Sequence, residues 1–106
     1  MSTDSIDYDV LYGWNQKKTV VYFLRAGNMF KIGITTNIKD RLEAIRSCSP
    51  VPVDLVLFTP GNLTYEKHIH EIYDDLRSHN EWFEDDGRIQ GFCNIELELR
   101  ESRGHE

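Results

Sequence analysis

The sequence predicts a small α/β (α+β) domain, a three-stranded, mainly antiparallel sheet flanked by helices. Three observations carry that expectation. Two runs dense in β-branched and aromatic residues, "TVVYFLR" (19–25) and "MFKIGI" (29–34), are separated by the short turn "AGN", which is a hairpin signature. A third such run, "VDLVLFT" (53–59), lies between two amphipathic segments. Each amphipathic segment opens on residues suited to cap a helix N-terminus.

Taken along the chain, residues 1–16 hold three aspartates and no base, and read as a flexible acidic arm. A single domain is expected over 17–101, with 102–106 a flexible tail; 106 residues suffice for one modest core. After the hairpin, Asn37 with Asp40 three residues on forms a capping arrangement, and Ile38, Leu42 and Ile45 repeat at i, i+4 and i+7. They predict a helix over 37–48, stopped by "SPVP" (49–52). Pro60–Gly61 closes the third strand, and a longer helix is expected over about 63–78 with Tyr65, Ile69, Ile72, Tyr73 and Leu76 as its buried stripe. On that phase Glu66 falls outside the stripe, one turn before His70. "NEWFEDDGR" (80–88) reads as an irregular acidic segment anchored by Trp82 and Phe83. The last stretch fits two patterns: a helix through Ile89, Phe92 and Cys93, or an exposed strand in the alternating "IELEL" (95–99). A terminal helix is expected.

Composition narrows the function classes. No apolar run approaches membrane-spanning length and the first twelve residues are acidic and polar, so no transmembrane helix or signal peptide is expected. Cys48 and Cys93 are isolated, and together with His68, His70 and His79 they follow no zinc spacing. Reduced thiols and a cytoplasmic location are the expectation. Net charge is −6, but unevenly spread: −3 over residues 1–16, +5 over 17–50 and −8 over 51–106. A polyanion could dock on the basic first half while the remainder repels it.

The residues that bear on chemistry are "VVY" (20–22), "KIG" (31–33), Arg41 eight residues after Gly33, and "YEKHIHEIYDDLRSHNEWF" (65–83). Their order and spacing resemble the GIY-YIG nuclease superfamily, in particular a phage-type branch with K-I-G in place of Y-I-G, over about residues 19–84. The resemblance implies a GIY-YIG-like fold and a metal-dependent endonuclease acting on DNA or RNA. It also implies a phage or mobile-element setting, in a bacterial or phage-infected cytoplasm. Tyr22 would be the base or the group orienting the water, although a free phenol is a weak base at neutral pH. Lys31, standing where a second tyrosine is common, would neutralise phosphate or depress the pKa of Tyr22. Arg41 would grip phosphate oxygens bidentately, and Glu66 would hold Mg²⁺ or Mn²⁺. His70 would serve as a shuttle, an outer partner or a phosphate contact. Gly33, Thr35, Lys39 and Arg41 are expected to meet the substrate. Glu81 stands where these nucleases often have an asparagine near the active site.

Each of these side chains also has an ordinary structural explanation: a core tyrosine, a solvated lysine, a surface ion pair, a Glu–His pair on a helix. The alternative function is accordingly a catalytically weak or inactive module of the same fold. Such a module would act as a regulator or anti-defence protein through nucleic acid or a protein partner.

Overall fold

Five consecutive apolar residues, Val20 to Leu24, are all fully buried, which requires a strand covered on both faces. The structure is a computed structural model and describes residues 19–104; the acidic arm expected over 1–16 lies outside the described residues. The buried run belongs to β1 (Val20–Ala26), which pairs antiparallel with β2 (Met29–Thr35) through a turn at Gly27. There follow α1 (Ile38–Cys48), β3 (Asp54–Pro60), α2 (Leu63–Ile72), a 3₁₀ turn (Asp74–Leu76), β4 (Arg77–His79), β5 (Trp82–Glu84) and α3 (Arg88–Gly104). The hairpin, α1 and β3 agree with the sequence-based expectation to within a residue or so. Asn37 caps α1 as expected, its side chain accepting the Asp40 amide at 3.1 Å.

The sheet has five strands rather than three, in the order β3-β1-β2-β5-β4. A hairpin with β3 on one side would leave the outer edge of β2 open, and an open edge is a template for pairing. The segment expected to be irregular fills it: Met29, Phe30 and Lys31 lie opposite Glu84, Phe83 and Trp82. Asn80, at φ 53°, makes the turn between β4 and β5, a left-handed conformation that asparagine tolerates better than most residues.

The second helix is also shorter than expected, ending at Ile72 instead of about 78. Tyr73 leaves helical geometry (φ −107°, ψ 20°) with its ring still buried. The Arg77 guanidinium then donates to Asp74 and to the Asn80 carbonyl, pinning the reversal into β4. Ile72, expected in the buried stripe, is 48% exposed.

Two apolar layers sandwich the sheet. Val21, Phe23, Phe30, Ile32, Phe83 and their neighbours pack beneath Ile69 of α2, Tyr73 just past its end, and Ile89 and Cys93 of α3. On the other face Tyr22, Leu24 and Phe58 pack against Ile38 and Leu42 of α1. The terminal helix is present and runs on through Gly104, so residues 102–104 are helical where a tail was expected. Asp85 starts it by accepting the amides of Gly87, Ile89 and Gln90. No helix among the described residues is long and apolar enough to cross a membrane.

Candidate active site around Gly33

Gly33 pairs with Tyr22 across the hairpin, two residues beyond the point where β5 stops opposite Lys31. The Ile32 amide still donates to the Glu81 carbonyl at 3.1 Å, which fixes residue 81 beside this end of β2. A Cβ on Gly33 would come within 2.5 Å of the Tyr22 hydroxyl and 2.9 Å of Glu81 Oε1. The space over the glycine is therefore shared by a phenol and a carboxylate, and no larger residue could stand at position 33 without moving them.

Tyr22 points to the α1 side of the sheet and is fully buried. Its oxygen has no well-formed hydrogen bond. Arg41 sits next to the buried Leu42 on α1 and is exposed; its guanidinium is the cation that acts on the phenol. Burial raises the Tyr22 pKa above the ordinary tyrosine value, the Glu81 charge raises it further, and Arg41 opposes both. The hydroxyl is therefore neutral near pH 7 and is a donor rather than a base.

Glu66 corrects the sequence-based helix phase. It sits in the first turn of α2, behind the Asn62 cap that accepts the Tyr65 amide at 3.0 Å. It is only 5% exposed, not a surface residue. One carboxylate oxygen, Oε2, is buried with no hydrogen-bond partner. Burial pushes its carboxyl above the usual range and Glu81 adds to this, while His70, Lys67 and Lys31 pull the other way. Its helix packs Ile69, and Tyr73 just past its end, on the face away from Tyr22, yet the Glu66 charge acts on Tyr22 as well.

The remaining expected residues divide. Lys31 places its ammonium 3.4 Å from Glu81 Oε1 and over the Trp82 ring, 5.5 Å from its centroid. Glu81, not Tyr22, is the partner the structure gives it. His70 is occupied by the fold: its Nε2–H donates to the Ile32 carbonyl at 2.8 Å and its ring lies 5.2 Å from Phe83. It ties α2 to β2, and so sets where Glu66 stands. The Thr35 hydroxyl is bonded to the amide of Asn37 in the turn leading to α1, and Lys39 is exposed on that helix. No group of three or more His, Cys, Asp or Glu side chains among the described residues could hold a metal ion. The Tyr22 hydroxyl and Glu81 Oε1 thus meet over Gly33 in a cluster where Lys31 pairs with Glu81 and the charges of Arg41 and Glu66 act on Tyr22.

The family model for the T5orf172 domain matches residues 19–99, which include every described strand and all but the end of α3. The chain belongs to the T5orf172 domain family. This is a phage-associated domain related to nucleic acid. No curated protein and no solved structure matches the chain.

In this T5orf172 domain the cluster contains a participant that sequence reasoning left without a role, Glu81. The signal was the position immediately before Trp82 and Phe83. Those two residues anchor β5 in the sheet, with Phe83 fully buried, so the residue ahead of them must emerge at the strand's end beside Gly33.

Proposed function

We propose that this T5orf172 domain is a metal-dependent endonuclease of GIY-YIG type, hydrolysing phosphodiester bonds in DNA in a phage or mobile-element setting. The observation that carries the reading is Glu66, a carboxylate that is 5% exposed with an unpartnered oxygen, whose charge also acts on the buried Tyr22. Burying a charge without a partner is costly, and such positions concentrate at functional sites. A divalent cation would supply the partner. Mg²⁺ is held by one or two protein carboxylates together with waters and substrate phosphate, so a three-residue cage is not required. Glu66 fits that role, and the bound ion would offset charge on the phosphate.

The other residues divide the remaining work. The exposed Arg41 guanidinium suits two phosphate oxygens at once. Tyr22 is kept protonated by burial, and its O–H would become a donor to phosphate or water where substrate binding opens the space over Gly33. Lys31 adds a second positive charge once a phosphate competes with Glu81 for it. His70 holds α2 against β2 and so keeps Glu66 in place. Affinity should be modest and salt-sensitive, because few cations face the site; log K should change by about −0.9 per phosphate contact with log salt.

The test is nicking of supercoiled plasmid by purified protein. Cleavage with Mg²⁺ or Mn²⁺, lost in EDTA and lost in Arg41→Ala, is the expected result. A binding module without turnover is the second reading, favoured by the Lys31–Glu81 ion pair that already occupies the phosphate-facing cation. Salt-sensitive DNA binding with no nicking under any divalent metal would select it.

A further inference from the structure

We propose that Glu81 is a catalytic residue of this site, the general base that takes the proton of the attacking water. The inference rests on the nuclease reading above and names the residue that reading leaves unassigned.

Hydrolysis needs a proton acceptor next to the nucleophile, and the site offers few. Tyr22 is buried and held protonated, and Arg41 and Lys31 are cations. His70 Nε2 is already bonded to the Ile32 carbonyl. The carboxylates that act on Tyr22 are Glu81 and Glu66, and Glu66 is the residue suited to the metal. Glu81 has the geometry for the task. Its Oε1 lies over Gly33 in the same small space as the Tyr22 hydroxyl, and its backbone is fixed to β2 through the Ile32 amide. Its side chain is 38% exposed, so water reaches it. The Lys31 ammonium lies 3.4 Å from it and over the Trp82 ring, which fixes the carboxylate's place. With substrate bound and that space opened, a water between the Tyr22 hydroxyl and Glu81 Oε1 would accept from one and donate to the other.

The step balances. The water oxygen forms a bond to phosphorus and its proton passes to Glu81. The bond from phosphorus to the leaving sugar oxygen breaks, its electron pair stays with that oxygen, and solvent protonates it. Glu81 then returns its proton to bulk water.

The experiment is single-turnover plasmid cleavage by Glu81→Gln, Glu81→Asp, Glu81→Ala and Tyr22→Phe beside wild type, with DNA binding in EDTA and thermal melts on each. Glu81→Gln should cut about 100-fold or more slowly while binding DNA as well as wild type or better, since Lys31 is freed. Glu81→Asp should exceed Glu81→Gln. Added formate or acetate should raise the rate of Glu81→Ala, where the small acid can enter the space left, and should not raise that of wild type. Rescue of that kind follows from a lost proton acceptor and not from a lost structural contact. A wild type that cuts, with Glu81→Gln cutting at a similar rate or Glu81→Ala indifferent to formate and acetate, overturns the base while leaving the nuclease standing. Tyr22→Phe inactive with Glu81→Gln active would move the role to the phenol. A wild type that cuts nothing with either metal overturns both proposals.

Discussion

Asp85 and Glu66 are both carboxylates withdrawn from solvent, and their surroundings could hardly differ more. Asp85, its side chain 2% exposed, accepts the amides of Gly87 and Ile89 at 2.9 Å and of Gln90 at 3.2 Å, with an Arg25 nitrogen 3.6 Å away. Arg25 itself is held by the Gly27 carbonyl and by Gln90. Both oxygens accept hydrogen bonds and a guanidinium stands close by, and the result is the start of α3 tied to the β1–β2 turn. Glu66 also sits at a helix start, but one of its oxygens has no hydrogen-bond partner. Buried polar groups are almost always paired, so a satisfied carboxylate reads as architecture, and the orphaned one is the ground for the metal proposal.

Substitutions at the two sites should separate those roles. Asp85→Ala removes the acceptor of three amides and leaves Arg25 short of a counter-charge, so a loss of about 3 kcal/mol is expected in urea unfolding. It should leave metal response intact in whatever fraction stays folded. A loss well under 1 kcal/mol would mean that Asp85 is no more structural than Glu66 and would break the comparison.

Gly33→Ala comes next. The new methyl would press on the ring end of Tyr22 and on Glu81, and overpacking of this kind costs about 2 kcal/mol. Nicking should be lost as well, because both groups are displaced. A variant with unchanged stability and activity would show that the space over Gly33 is larger than the structure indicates.

Glu66→Gln should behave oppositely in stability and activity. A carboxyl whose folded pKa is raised contributes stability below the ordinary carboxylate range and loses it as pH rises through the folded value. In metal-free buffer the wild type should therefore weaken relative to Glu66→Gln between acid and neutral pH, by about 1 kcal/mol, while nicking by the variant disappears. Urea melts in EDTA across that pH span check the sign. Wild type gaining on the variant as pH rises would mean that Glu66 is ion-paired, as Asp85 is. Tyr22→Phe is the smallest change: it removes a buried hydroxyl without a well-formed hydrogen bond, so stability should hold or rise by a few tenths of a kcal/mol.

The contrast also explains what could be read in the chain. "VVYFL", the Asn37 cap and the apolar repeat of α1 are local signals, and each led to the observed element. β4 and β5 have three residues apiece and owe their existence to the free edge of β2, a pairing more than fifty residues distant in sequence that no local pattern announces. Of the candidate site, Tyr22, Gly33 and Arg41 stand where the hairpin and α1, both readable in sequence, put them. Glu66 was assigned to the helix surface because an acidic residue was not admitted to an apolar stripe. Yet it lies three residues before Ile69 and seven before Tyr73, on the buried face of α2. Expecting hydrophobicity at that phase hid the group that distinguishes this helix. His70 was legible as a partner of Glu66's helix face but not as a bond to the Ile32 carbonyl, because backbone partners leave no trace in sequence.

The most direct measurement of the central claim is the melting temperature of wild type and Glu66→Gln over a titration of Mn²⁺, free of nucleic acid. An ion bound to the folded state alone raises its stability in proportion to the logarithm of its saturation. If Glu66 is the carboxylate that awaits a cation, wild type should melt progressively higher as Mn²⁺ is added and Glu66→Gln should not move. Equal shifts in both proteins, or none in either, would contradict it.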